Sequence, residues 1–195
     1  MAKVGVLALQ GSFKEHIQML QRLGVATREV RLPRDLEQVA ALIIPGGEST
    51  TIGKLALQFD LLEPLRRFAL GRPVWGTCAG MIFMAKRIDQ EQPTLGIMDI
   101  AVQRNAFGRQ VDSFTCDLDI PALHQYAPVP FPAVFIRAPR LIAVKGHARL
   151  LACLPDGSGV AAREGHWLVS AFHPELTGDE RFHRYFLSLI AEAPP

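Results

Sequence analysis

The sequence is poor in the features that assign a protein to a special class. Its three cysteines, Cys78, Cys116 and Cys153, are far apart, with no C-x-x-C pair and no His/Cys cluster at ligand spacing. Neither a disulfide framework nor a metal site is supported. No charge sign dominates: 21 Lys+Arg face 19 Asp+Glu, for a formal net charge of +2. The longest basic cluster, Arg66-Arg67, stands beside Leu65 and Phe68 in a helical pattern and reads as a solvated helix face, so nucleic acid is not an expected partner. No apolar run approaches the roughly 20 residues of a membrane span. The run Val4 to Leu9 follows Met1-Ala2-Lys3 without a signal-peptide cleavage site. The expectation is a cytoplasmic protein with no membrane partner. No G-x-G-x-x-G follows the first apolar run, and no cofactor is called for. At 49% hydrophobic and 21% charged residues, disorder, coiled coil and collagen are excluded. A chain of 195 residues buries on the order of 70% of its unfolded surface, which suits one domain over 1–195.

What is present is an alternation of short β-branched runs with amphipathic stretches, the pattern of βαβ units. Lys3 to Leu9, Ala26 to Val30, Ala40 to Ile44 and Pro73 to Trp75 read as strands. Phe13 to Leu23, Thr50 to Phe59, Leu61 to Leu70 and Met81 to Ala85 read as helices. Asp60 with Glu63, and Thr177 with Glu180, have the form of capping boxes, the second opening a last helix through Ile190. From Ile97 to Val169 the pattern changes to extended runs (133–136, 141–144, 150–154, 159–162, 167–172) separated by turns. The expected fold is α/β, a doubly wound, mostly parallel sheet flanked by helices, flavodoxin-like, with some antiparallel strands in the second half.

Gly76-Thr77-Cys78-Ala79-Gly80 is a cysteine form of the nucleophile elbow: flanking glycines permit a strained strand-to-helix turn that presents the middle side chain. Free N–H groups at a helix start favour the thiolate, and the Ala79 N–H can meet an oxyanion. Without a base, Cys78 is equally a small buried hydrophobe. His173-Pro174-Glu175 supplies the base: in an extended segment residues i and i+2 point to one side, so Glu175 can orient the His173 ring, although a turn with a solvated Glu175 is the plainer alternative. His16 and His183 in helical patterns, His124, His147 and His166 near turns, and Cys116 and Cys153 in β-like runs read as structural. Pro45 to Thr51 lies at the carboxyl end of a strand, where ligands bind in open α/β sheets. Its continuation to Lys54 is not a P-loop, because Gly47 to Gly53 is one residue too long and Leu55 stands where Ser or Thr is required. The Gly46-Gly47 pair can instead aim an N–H at a developing negative charge. Arg104, in Gln103 to Gly108, and Arg137, in Phe135 to Pro139, are able to clamp a carboxylate, a surface salt bridge being the ordinary alternative.

Together these segments, with Gly5 to Gly11 at the start and Phe172 to Thr177 near the end, resemble the class I (triad) glutamine amidotransferases. Leu9-Gln10-Gly11, Gly46 to Thr51 and Ile136-Arg137-Ala138-Pro139 are similar to the glutaminase subunits of pyridoxal 5′-phosphate synthase. The resemblance implies Cys78 as nucleophile, His173 as general base and acid, and Glu175 as orienting carboxylate. It places L-glutamine against Gly47, Glu48, Ser49, Arg104, Ile136 and Arg137, with the oxyanion met by Gly47 and Ala79. It implies a (β/α)8-barrel synthase partner that takes the ammonia, in an assembly of twelve plus twelve subunits. Gln10 and Gly11, beside the Gly46-Gly47 loop at the sheet edge, are candidates for sensing that partner. The segment 119–132 and the bulky Phe83-Met84 depart from the family pattern. A cysteine peptidase or γ-glutamyl hydrolase on a related fold, and a non-catalytic module with Cys78 as redox sensor, are the competing readings.

Overall fold

The computed structural model describes residues 3–106 and 113–192; Phe107 and Gly108 of the Arg104 segment lie outside them. The first half runs β1 (Val4–Leu7), α1 (Phe13–Arg22), β2 (Thr27–Val30), β3 (Ala41–Ile44), α2 (Ser49–Gln58), α3 (Leu62–Gly71), β4 (Val74–Thr77) and α4 (Ala79–Met84). The second half adds β5 (Ala85–Ile88), β6 (Met98–Gln103), β7 (Ser113–Leu118), β8 (Phe131–Ile136), β9 (Arg140–Val144), β10 (Arg149–Cys153), β11 (Gly159–Glu164), β12 (Trp167–Ser170) and α5 (Arg181–Glu192).

The main sheet has the order β2-β1-β3-β4-β12-β11-β9-β6-β5, with β10 attached to β11. Strands β2, β1, β3, β4 and β12 are parallel, and β12 is followed across the sheet by the antiparallel pairs β12–β11 and β9–β6. Every residue of β1, β3 and β4 is buried, which is why these strands read as unbroken apolar runs rather than alternating ones. The expected parallel sheet with an antiparallel second half is therefore found, while β5 and β6 were not marked by any run strong enough to read and β7 only by the β-like run at Cys116. Strands β7 and β8 form a separate antiparallel pair.

The chain steps from β1 outward to β2 and then back across to β3, so the loops after β1 and β3 face each other at a topological switch point. The Ser12 N–H donates to the Gly46 carbonyl at 3.0 Å. Gly11, at φ +101°, lies so close that a Cβ there would stand 1.8 Å from the Gly46 oxygen; only glycine lets these loops touch.

Several local expectations are corrected. Asp60 does not cap α3: at φ +53° it closes α2, with Leu61 N–H to Ala56 O at 2.8 Å and Asp60 N–H to Leu57 O at 3.1 Å, the two bonds of a Schellman motif. Thr177 does not cap α5. Asp179 accepts the Arg181 N–H at 2.9 Å, while the Thr177 hydroxyl donates to Pro174 O at 2.9 Å. Arg66 is more than a solvated residue, since it donates to the carbonyls of Leu95 and Thr94, both at 2.9 Å, and ties α3 to the loop before β6. Cys153 is exposed on β10. The segment 119–132 contains a 3-10 turn, Pro121–Leu123, and is held by Arg181, which donates to the carbonyls of Ala127 (2.9 Å), Val129 (2.6 Å) and Pro130 (2.9 Å). Phe83 and Met84 are fully buried in the core.

Candidate active site

The elbow is built by crowding. A Cβ on Gly76 would lie 2.5 Å from the Gly80 carbonyl, and one on Gly80 would lie 2.1 Å from the Ile44 oxygen, so both glycines of G-x-C-x-G are steric necessities. Between them Cys78 takes φ +48° and ψ −102°, a conformation that costs roughly 1–3 kcal/mol in a residue with a side chain. It is held by its own N–H donating to Ser170 O at 2.7 Å and by its carbonyl accepting from Met81 and Ile82. Ser170 is the last residue of β12, paired with Thr77 at the end of β4. Adjacency of these two strands is what brings the segment after β12 to the cysteine.

That segment begins with His173, whose N–H donates to Val134 O at 2.8 Å. Pro174 then starts a 3-10 turn, Pro174–Leu176, so the extended geometry expected for 173–175 is replaced by a tight turn. The expected pairing survives by this different route: His173 Nδ1 lies 2.7 Å from Glu175 Oε1. The same carboxylate oxygen accepts from the Ser12 hydroxyl at 2.7 Å, and Oε2 lies 3.4 Å from His16 Nε2. Glu175 is 5% exposed and His173 7%, which excludes the solvated-surface alternative. Burial by itself would push Glu175 up; the adjacent His16, the hydrogen bond from His173 and that from Ser12 outweigh it and hold the carboxyl near 2. Burial lowers His16 in turn, against the opposing pull of Glu175. Burial would lower His173, but its hydrogen bonds with Cys78 and Glu175 raise it to about 10. A protonated imidazole between a sulfur and a carboxylate is the arrangement that stabilises a thiolate as it forms.

Above the sulfur is a cleft of about 340 Å³, the size of a small-molecule site. Its lining includes Cys78, Ala79, His173, Gly47, Glu48, Ser49, Arg104, Ile136, Arg137 and Gln10. Of the residues expected at the site, only Glu175, buried behind His173, and Gly11, buttressing Gly46, do not line it. Sequence reasoning missed two lining residues, Ile82 and Asn105.

The two arginines differ in kind. The Arg104 guanidinium is held by Gln90 and Gln92 (both 2.8 Å), Thr50 and Glu48 (both 3.2 Å). Arg137, at φ +42°, faces the cleft with no hydrogen-bond or ion-pair partner among the described residues. Glu48 is a helix cap: its carboxylate accepts from the N–H groups of Thr50 (3.1 Å) and Thr51 (2.7 Å). Partial burial would raise its carboxyl, but the Thr51 and Thr50 hydrogen bonds hold it near 2. The Glu48 N–H donates to Gln10 Oε1 at 2.7 Å, and Gln10 Oε1 occupies the space where a Cβ on Gly47 would go, 2.3 Å away. Gln10 thus braces the Gly47 loop directly. Lys54 is exposed and does not line the cleft.

The sequence reading also missed Ser12, His16 and His183, which gather behind Glu175. One signal was available: Ser12 and His16 are four residues apart across the start of α1, hence on one face. Ser12 occupies the N-cap position of α1, yet its side chain makes no cap hydrogen bond; its hydroxyl serves Glu175 instead.

Residues 6–192 match the model of the SNO glutamine amidotransferase family. A pyridoxal 5′-phosphate synthase subunit PdxT of Herpetosiphon aurantiacus is 62% identical over 191 residues, covering 95% of this chain and 99% of its own. Another, of Carboxydothermus hydrogenoformans, is 56% identical, covering 97% and 98%. Among solved structures, one described as a glutamine amidotransferase superposes with a TM-score of 0.90 at 49% identity, over 96% of this chain and 98% of that one. A putative GMP synthase protein from Thermoplasma acidophilum, at 17% identity and a TM-score of 0.72 over 98% of this chain and 95% of its own, shares the fold.

Proposed function

The chain belongs to the SNO glutamine amidotransferase family, as a glutaminase subunit of the pyridoxal 5′-phosphate synthase kind, and from that premise we propose that Cys78, His173 and Glu175 carry its chemistry. The observation that carries the assignment is the alignment of Cys78 and His173 in one cleft, with Glu175 2.7 Å behind the imidazole. Glutamine enters with its α-carboxylate toward Arg137, near Arg104 and Ile136, beside Gly47, Glu48 and Ser49. The Cys78 sulfur attacks the side-chain amide carbon, and the N–H groups of Gly47 and Ala79 meet the oxygen as it becomes negative. His173 gives its proton to the departing nitrogen, and ammonia leaves. His173 then takes a proton from water, which attacks the γ-glutamyl thioester and releases glutamate. Glu175 keeps the imidazole in one orientation throughout.

Ammonia free in water is protonated near neutral pH and loses its nucleophilicity, so it must pass directly to an acceptor site. The acceptor in this reading is a (β/α)8-barrel synthase subunit that joins ribose 5-phosphate and glyceraldehyde 3-phosphate to it, in a twelve-plus-twelve assembly in the cytoplasm. Gln10, held against the Gly47 loop, is the element through which docking reaches the oxyanion site. A cleft for one amino acid, with a guanidinium unpaired among the described residues, favours free glutamine over a peptide. The test is ammonia release from L-glutamine by the chain alone and with a synthase subunit, in wild type and Cys78→Ala. Release that rises with the partner and vanishes in the variant supports the assignment; release that persists in Cys78→Ala overturns it.

A further inference from the structure

Behind the proposed triad lie two histidines that the reaction above does not use. His16 on α1 and His183 on α5 are both fully buried, and both rings pack edge-on against Trp75, with centroids 5.4 and 4.8 Å away. His16 Nδ1 is 3.0 Å from His183 Nε2, and His16 Nε2 is 3.2 Å from Thr77 Oγ1 and 3.4 Å from Glu175 Oε2. Buried polar atoms need partners, and four ring nitrogens give enough constraints to decide where the protons are.

Burial holds both rings neutral, so each carries one N–H and one lone pair. His183 Nδ1 has no hydrogen-bond partner. An unmet lone pair is tolerated more readily than an unmet N–H, which places the His183 proton on Nε2. That N–H points at His16 Nδ1, which must then be the acceptor, leaving the His16 proton on Nε2. The His16 Nε2–H has Thr77 Oγ1 as its hydrogen-bond acceptor at 3.2 Å and at the same time faces Glu175 Oε2 at 3.4 Å, an oxygen with no hydrogen bond of its own. The other charged or titratable groups near the pair are His173 beyond Glu175, and Glu15 and Arg22 on α1.

We propose that His16 and His183 are positioning residues of the triad: His183 sets the tautomer of His16, whose Nε2–H anchors Glu175 so that its other oxygen stays on His173. The chain runs His183, His16, Glu175, His173, Cys78, and joins α5, α1 and the turn after β12 to the elbow. Neither His16 nor His183 lines the cleft, so both act on the chemical step rather than on glutamine binding. This inference rests on the triad assignment above.

The experiment measures glutamine hydrolysis by the complex with the synthase subunit. His16→Leu removes the N–H at similar size, and His16→Gln restores a donor at the position of Nε2. Partners that orient a functional histidine from the outer shell are worth on the order of 10–100-fold. His16→Leu is expected to lose that much kcat with KM unchanged, and His16→Gln to recover most of it. A folded His16→Leu with wild-type kcat, equal losses in both variants, or a change confined to KM overturns the proposal. Nitrogen-15 NMR of the wild-type histidines decides independently of any variant's folding: both rings are expected neutral with the proton on Nε2, and a proton on Nδ1 of either ring refutes the chain. If the wild-type complex releases no ammonia, the triad assignment fails, and the NMR result still decides the tautomers.

Discussion

Adding one methyl group at Gly46 tests the position of the proposed general base without substituting any reacting group. The Cβ of Gly46→Ala would stand 2.4 Å from His173 Cε1, 3.1 Å from its Nδ1 and 3.4 Å from Cys78 Cβ. Carbon atoms in contact prefer about 3.5–4.0 Å, so the imidazole must retreat by roughly 1 Å. Glu175 cannot follow, because the Ser12 hydroxyl holds it at 2.7 Å and it is buried. The His173–Glu175 bond, now 2.7 Å, then stretches toward or past the ~3.2 Å limit of a useful hydrogen bond. A misplacement of that size costs about 100-fold in rate, about 2.7 kcal/mol of barrier. Gly46 φ lies outside the left-handed region, so the backbone accepts alanine and the effect belongs to the contact. The assay is steady-state glutamate production by the complex, with Gly71→Ala as control, since a Cβ at Gly71 meets nothing within 4 Å. A kcat for Gly46→Ala within about threefold of wild type, or an equal loss in Gly71→Ala, refutes the reasoning.

The His173–Glu175 pair also makes stability depend on pH in two directions. Glu175, lowered from 4.5 to about 2, stabilises the fold above its unfolded value, and this is lost as pH falls toward 2. His173, raised from 6.5 to about 10, stabilises fully below 6.5, and this is lost as pH rises through 10. Urea midpoints are expected to be highest between those windows and to fall on both sides; an unchanged profile in Glu175→Gln would show that other groups are responsible. Arg181→Met leaves the carbonyls of Ala127, Val129 and Pro130 without their donor and is expected to cost about 3 kcal/mol, a Tm drop of roughly 6–12 °C read by calorimetry. Gln10→Ala removes the acceptor that holds the Glu48 N–H and is expected to reduce partner-stimulated glutaminase activity; activity equal to wild type excludes Gln10 from sensing.

Much of the molecule was legible where the signal is local. Strands β1, β3 and β4 stand out because both faces are covered and each is a short unbroken apolar run. The glycines around Cys78 and the proline after His173 are readable because backbone geometry restricts which residues occupy such turns. The His173–Glu175 pairing was anticipated through an extended segment, and a 3-10 turn produces it instead. The i, i+2 rule reached the right partner by the wrong geometry. Asp60 shows the limit of spacing rules: Asp with Glu three residues on fits a helix start, but the same residue ends the preceding helix, and its positive φ with the Leu61-to-Ala56 and Asp60-to-Leu57 hydrogen bonds distinguishes the two. Strand β5 was hidden because Ala85, Lys86, Arg87 and Ile88 carry no clear period, and its place comes from pairing with β6.

Sequence alone determined the candidate nucleophile, the candidate base and its candidate carboxylate, the loop that faces them and the family to which the chain belongs, since each rests on residue types at short, sterically demanding spacings. Tertiary structure decided what no spacing encodes. It set β12 beside β4, so that His173 meets Cys78 across nearly a hundred residues. It diverted Ser12 from capping α1 to holding Glu175, committed Arg104 while leaving Arg137 unpaired among the described residues, and enclosed His16 and His183 behind the proposed triad. Those outcomes depend on which faces of the sheet and helices are buried together, and burial turns an ordinary helical histidine into a group whose few available hydrogen bonds fix where its proton sits.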